Sequence, residues 1–198
     1  MKFNYIAIER EYASGGSFIG QKVAEILGIS CYGKEIPEIT AKNNDVSVER
    51  ILELEEDVNK SFLYSLSRMS NFLTESSMRL ATDSVILEEM NVIRELSGNG
   101  PAVFVGRTAA YALKDKKDVL KVFIHAATNF RETRAVKEYE ICRSEVSEVI
   151  KKADKRRALF YRTNFGKNWQ NYADYDLVLD SSILGLEKCA SVIAECAK

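Results

Sequence analysis

The chain has 198 residues, 46% hydrophobic and 29% charged, with a formal net charge of −1 and a pI near 6.0. These proportions suit one globular domain with a sizeable core. The near-neutral balance sets up no broad basic field, so nucleic acid is not an expected partner. No apolar run approaches the roughly 18 residues that span a bilayer, and residues 1–6 enter a strand without a signal peptide's apolar stretch. The expectation is therefore a cytoplasmic protein without a membrane partner. Cys31, Cys142, Cys189 and Cys196 are scattered, with no C-x-x-C pair, and the single histidine, His125, has no neighbouring cysteine. Neither a zinc site nor a disulfide framework is expected.

In chain order, Tyr5-Ile-Ala-Ile8 reads as a buried strand, followed by a glycine-containing turn and a helix over 17–27. A short strand is expected at 29–32. Residues 45–97 carry no strand signal. There Ile51, Leu54, Val58, Phe62, Leu66, Met69 and Leu73 step by three or four, which predicts one long amphipathic helix over 46–75, with Asn44 or Asp45 as its cap. Its stripe reads as a core face or as a homodimer surface. A further helix is expected over 82–97. Strands at 101–106 and 119–124 follow, the second closed by His125, read as a structural strand-end residue. Then come a helix at 129–140, a strand at 175–180 and a helix at 183–197. Strands alternating with helices predict an α/β fold with a parallel five-stranded sheet covered on both faces, in three layers.

The turn after the first strand is the most informative stretch. A strand entering a glycine turn and then a helix is the setting in which backbone amides bind phosphate. In the P-loop pattern G-x-x-x-x-G-K-[ST], aligning Gly15-Gly16-Ser17 with Gly-Lys-Ser puts Gly16 at the lysine and Arg10 at the first glycine. Ala13, Ser14, Gly15, Gly16 and Ser17 could still offer amides, and the Ser17 hydroxyl could reach Mg²⁺. The bland alternative is a plain βα turn. Arg10, or an arginine of the basic stretch at 151–162, is the candidate replacement for the missing lysine; Arg10 could instead pair with Glu9, Glu11 or Glu35. Arg107 stands just past an apolar strand, at the carboxyl edge where open α/β sheets bind ligands. Arg131 and Arg134 share a helix face, and of the two Arg131 is the better site candidate. Between 145 and 169, Lys151, Lys152, Lys155, Arg156, Arg157, Arg162 and Lys167 lie among Phe160, Tyr161, Phe165 and Trp169. That segment is either a solvated helix face or a local anion site.

This order of parts resembles the nucleoside monophosphate kinases, specifically the cytidylate kinase-like family, over essentially the whole chain. The residues carrying the likeness are the loop from Ile8 to Gly20, which is similar to the lysine-less variant of the phosphate loop; Val105-Gly106-Arg107; the stretch from Ala126 to Arg131; and Asp154-Lys-Arg-Arg-Ala158. The resemblance implies a P-loop kinase-like fold with a core at 1–33, 98–144 and 172–198, a helical acceptor-binding insertion at about 34–97 and a basic lid at about 145–171. It further implies ATP and Mg²⁺ as cofactors and a small phosphorylated acceptor, CMP above others. By the same match Arg107 and Arg131 contact the acceptor phosphate, Asp154 helps hold the nucleoside, and Arg157 reaches the phosphates in transfer. Thr108 stands where cytidylate kinases carry Asp. With Gly16, it leaves open a nucleotide-binding regulator with a degenerate loop, or a kinase of another small metabolite.

Overall fold

The computed structural model describes residues 1–43, 48–49, 72–106 and 108–198, with 72–84 described as helical backbone. Five strands, β1 (Tyr5–Arg10), β2 (Ser30–Tyr32), β3 (Ala102–Val105), β4 (Val119–His125) and β5 (Leu177–Asp180), form one parallel sheet in the order β2-β3-β1-β4-β5. β1 lies at the centre, with Ile8 beside Val105 of β3 and Glu9 beside Phe123 of β4. The glycine turn after β1 thus leaves the middle of the sheet at its carboxyl edge, flanked by the ends of β3 and β4.

Alternation along β1 builds both cores. Ile6 and Ile8 point to the face covered by α1 (Gly16–Leu27) and by the C-terminal helix, Leu186–Ala197. They pack there with Ile19, Val23, Cys189 and Ile193. Tyr5 and Ala7 point to the other face, packing with Ile86, Met90 and Ile93 of a helix spanning Phe72–Gly98. Each fully buried aliphatic side chain contributes about 1.5–3 kcal/mol. Between these helices the chain forms α2 (Glu35–Asn43) and then, with Phe72–Gly98 as α3, α4 (Ala109–Ala112), α5 (Thr128–Tyr139), α6 (Val146–Phe165), α7 (Ser181–Leu184) and α8 (Leu186–Ala197). The expected start at 82 is corrected to an unbroken helix from 72, since residues 75–82 contain neither glycine nor proline to end one. The 46–75 stripe, its Asn44 or Asp45 cap and the homodimer surface expected there fall almost wholly outside the described residues.

The basic segment is a single helix, α6, laid over the carboxyl edge of the sheet. Its first half buries Val146 and Ile150 against Ala13 of the turn and Ala135 of α5. Its second half stacks Phe165 on Tyr111 of α4, ring centres 4.1 Å apart. Lys151, Lys152, Lys155 and Arg156 lie on its solvent face, whereas Trp169, just past its end, is fully buried against Phe123. Among the described residues no helix is long and apolar enough to cross a membrane.

Candidate functional site

The turn after β1 is held from below and open at its end. Ser14 donates its amide and its hydroxyl to the Glu11 carbonyl, at 3.3 and 2.9 Å, and the buried Ser181 hydroxyl donates to the Ser14 carbonyl at 2.6 Å. Positive φ at Ala13 (60°) and Gly15 (86°) bends the chain into the start of α1. No side chain caps that end. The amides of Gly16, Ser17 and Phe18 lie in the first turn, where a helix has no carbonyl of its own to offer them. With the helix dipole they form an anion-binding end. Of the residues Ala13–Ser17, Ser14 therefore spends its amide inside the loop, and Ser17 is the exposed one.

Arg10 crosses this turn. A Cβ at Gly16 would meet Arg10 Cβ and Cγ at 2.6 Å, and a Cβ at Gly106 would meet an Arg10 guanidinium nitrogen at 1.7 Å. The Arg10 stem thus runs over Gly16 and its guanidinium lies on Gly106, whose φ of 72° suits glycine. Both glycines are required by that one side chain. Arg107 lies outside the described residues. Thr108, where the resemblance expects Asp, is buried, with φ 56°, at the start of α4.

Asp154 of α6 ties three of these parts together. Its carboxylate accepts from the Tyr12 amide at 2.7 Å, from Arg131 at 2.5 Å and from Arg157 at 3.3 Å. Arg131 is buried, with Nε 3.5 Å from Glu11, and the Arg157 guanidinium sits over the Tyr12 ring at 5.8 Å. Burial pulls the Arg157 pKa below its usual range, opposed chiefly by Asp154. The structure therefore brings Arg10, Ala13–Ser17, Arg131, Asp154 and Arg157 to one edge. Arg134, on the same helix as Arg131, is half-buried.

Sequence reasoning named Glu9 only as a possible partner of Arg10, and Tyr161 only among the aromatics of the basic segment. Glu9 is 3% exposed near the end of the central strand. The Tyr161 hydroxyl is buried beside it, and burial together with the Glu9 charge holds its pKa well above the usual range. The available signal was a carboxylate continuing a strand whose preceding residues are buried on both faces.

The model of the cytidylate kinase-like family matches residues 5–183. The chain belongs to the cytidylate kinase-like family. Among solved structures, an uncharacterized protein from Eubacterium ventriosum is similar over 98% of this chain and 97% of its own, at 20% identity and a TM-score of 0.72. TT1252 from Thermus thermophilus (16% identity, 98% and 96% covered) reaches 0.54, and shikimate kinase from Bacteroides thetaiotaomicron (12%, 97% and 96%) reaches 0.52. At such identities the likeness is one of fold, and that fold is the α/β fold of P-loop kinases. No curated protein matches the chain.

The donor set suits phosphate: uncapped amides at a helix end and three arginines. It does not by itself suit a metal, since no cluster of three or more His, Cys, Asp or Glu side chains is placed to hold one among the described residues. Within this family setting the Ser17 hydroxyl is the group that would reach a Mg²⁺ arriving with nucleotide phosphates.

Proposed function

We propose that this member of the cytidylate kinase-like family transfers the γ-phosphoryl group of ATP to a small acceptor bound beneath α6. The family match favours a nucleoside monophosphate, CMP first. The observation that supports the reading is Arg10 laid across Gly16: the lysine is missing, and the stem of Arg10 fills the space a side chain at 16 would take while carrying its guanidinium on to Gly106.

In this reading the amides of Gly16 and Ser17 hold the triphosphate and Arg10 supplies the fixed positive charge. Arginine grips phosphate through two N–H groups, where lysine offers a point charge. Mg²⁺, bound with the nucleotide and touched by Ser17, would neutralise charge on the phosphates. Arg131 and Arg157 hold the acceptor side and the transferring group, and Asp154 fixes both arginines in place. By the family resemblance Arg107 would add a contact to the acceptor phosphate. The α6 helix, docked at both ends, keeps water from the transfer. Little else is needed, because phosphoryl transfer is catalysed mainly by positioning and electrostatic stabilisation.

An ADP-release assay with ATP and Mg²⁺ against CMP, dCMP, UMP, AMP and GMP, with a no-acceptor control, tests this reading. Turnover that rises with a monophosphate is expected. A second reading, a nucleotide-binding regulator, is favoured by Gly16 and Thr108. It predicts ATP-dependent thermal stabilisation without such turnover.

A further inference from the structure

A carboxylate at the root of an anion-binding turn is an anomaly, because it repels the group that the turn would hold. Glu11 stands there, one residue after Arg10 and three before Ser14. Its backbone is fixed on both sides. The Glu11 amide donates to the Ile124 carbonyl at 3.0 Å, and the Glu11 carbonyl accepts from the Ser14 amide and hydroxyl. The two neighbouring charges then part. Arg10 runs to Gly106, just past β3, and Glu11 turns to the β4 side. There Oε2 accepts from the Ala126 amide at 3.2 Å and faces Arg131 Nε at 3.5 Å, while Oε1 accepts from Gln170 at 3.4 Å. Only 11% of the Glu11 side chain is exposed.

These contacts decide how Arg131 lies. Asp154 Oδ2 and the Tyr12 carbonyl both accept from Arg131 Nη1, at 2.5 and 3.4 Å. Glu11 stands at Nε. Among the described residues, neither set of contacts uses Nη2. A planar guanidinium held at two nitrogens presents the third in a fixed direction, and a fixed fork is what grips a phosphate. Held at Nη1 alone, it would pivot. The Arg131 Nε is buried without a hydrogen bond, so Glu11 acts on it through charge rather than through hydrogen-bond geometry. Between two side chains so nearly enclosed, that attraction is weakly screened.

We infer that Glu11 is a positioning residue, which aims Arg131 at the phosphate of the acceptor. The inference rests on the phosphoryl-transfer reading, in which Arg131 holds the acceptor side, and adds a residue to which that reading gives no part. Two roles for this carboxylate carry opposite signs. If Glu11 only braced the turn, removing its charge would make an anion site more positive and tighten the monophosphate. If it aims Arg131, removing its charge weakens the monophosphate, because the arginine loses its direction. A misplacement of about 1 Å can cost on the order of 10²-fold.

The test uses the full chain, ATP and Mg²⁺ with CMP, dCMP, UMP, AMP and GMP, in wild type and Glu11→Gln. Glutamine keeps an oxygen for the Ala126 amide and drops the charge. Glu11→Gln should raise the KM of the preferred monophosphate about tenfold or more and leave ATP affinity within threefold. A thermal melt checks that Glu11→Gln is folded. If it is not, Glu11→Asp, which keeps the charge on a shorter stem, should fold and raise the same KM with ATP affinity kept. A monophosphate KM unchanged or lowered in the folded variant overturns the inference and leaves phosphoryl transfer standing. ATP binding by wild type without turnover of any acceptor overturns both.

Discussion

Arg10 occupies the space that a side chain at Gly16 would need, with Cβ and Cγ of the arginine 2.6 Å from where a Cβ at 16 would stand. The loss of the P-loop lysine and the presence of this arginine are thus one packing solution. A lysine at 16 and an arginine at 10 exclude each other sterically.

That exclusion gives a first prediction. Gly16→Ala should destabilise the fold by about 1–3 kcal/mol through overpacking, because the atoms in its way are the near end of the arginine stem. In an Arg10→Gly background the same substitution should be nearly neutral. A double-mutant cycle by urea denaturation measures the coupling, and additive effects would show that the two residues do not compete.

Asp154 should act as the pin of α6. Asp154→Ala leaves Arg131, of which 10% of the side chain is exposed, without its shortest partner and frees the Tyr12 amide. Breaking a largely buried pair from one side costs about 3 kcal/mol. In a chain of this length that lowers Tm by about 6–12 °C. Limited proteolysis should then cut within 151–162 faster than in wild type, and ATP should protect that stretch in wild type only.

Stability should fall on the alkaline side. Burial pushes the Cys31 thiol up to about 11 and raises the phenols of Tyr161 and Tyr175 above their usual range. In each case the folded state keeps a proton that the unfolded chain loses at lower pH. The stabilisation is complete below the unfolded values, near pH 9 for the thiol and pH 10 for the phenols, and is lost as pH rises through the folded ones. Urea midpoints at pH 7, 8, 9 and 10 should be level up to 8 and decline after 9. The exposed Cys142 thiol is shifted down by Ser144, so it should react with iodoacetamide well before Cys31.

The sheet was legible in the sequence because its strands are short, β-branched and buried on both faces, a pattern that only a covered parallel sheet explains. Tyr5–Arg10, Ala102–Val105 and Val119–His125 are such runs, and their helices follow with the right spacing. The site was legible by position rather than by partner. Glycine at 16 announced a missing charge, but the residue that crosses it is six positions away, and only the fold lays Arg10 over it. Asp154 and Arg131 are 23 residues apart, and no local pattern predicts that they meet over Tyr12. The burial of Glu9 was not legible, because a charged residue at a strand end ordinarily faces water. Here the chain that covers it arrives more than 150 residues later.

The central claim is that Arg10 stands in for the P-loop lysine at the nucleotide phosphates. Calorimetric titration of ATP with Mg²⁺ into wild type and Arg10→Ala tests it most directly. The account predicts saturable binding by wild type and affinity lower by tenfold or more in Arg10→Ala, a loss of about 1.4 kcal/mol at least. Equal affinity in a folded Arg10→Ala, or no binding by wild type, would contradict it.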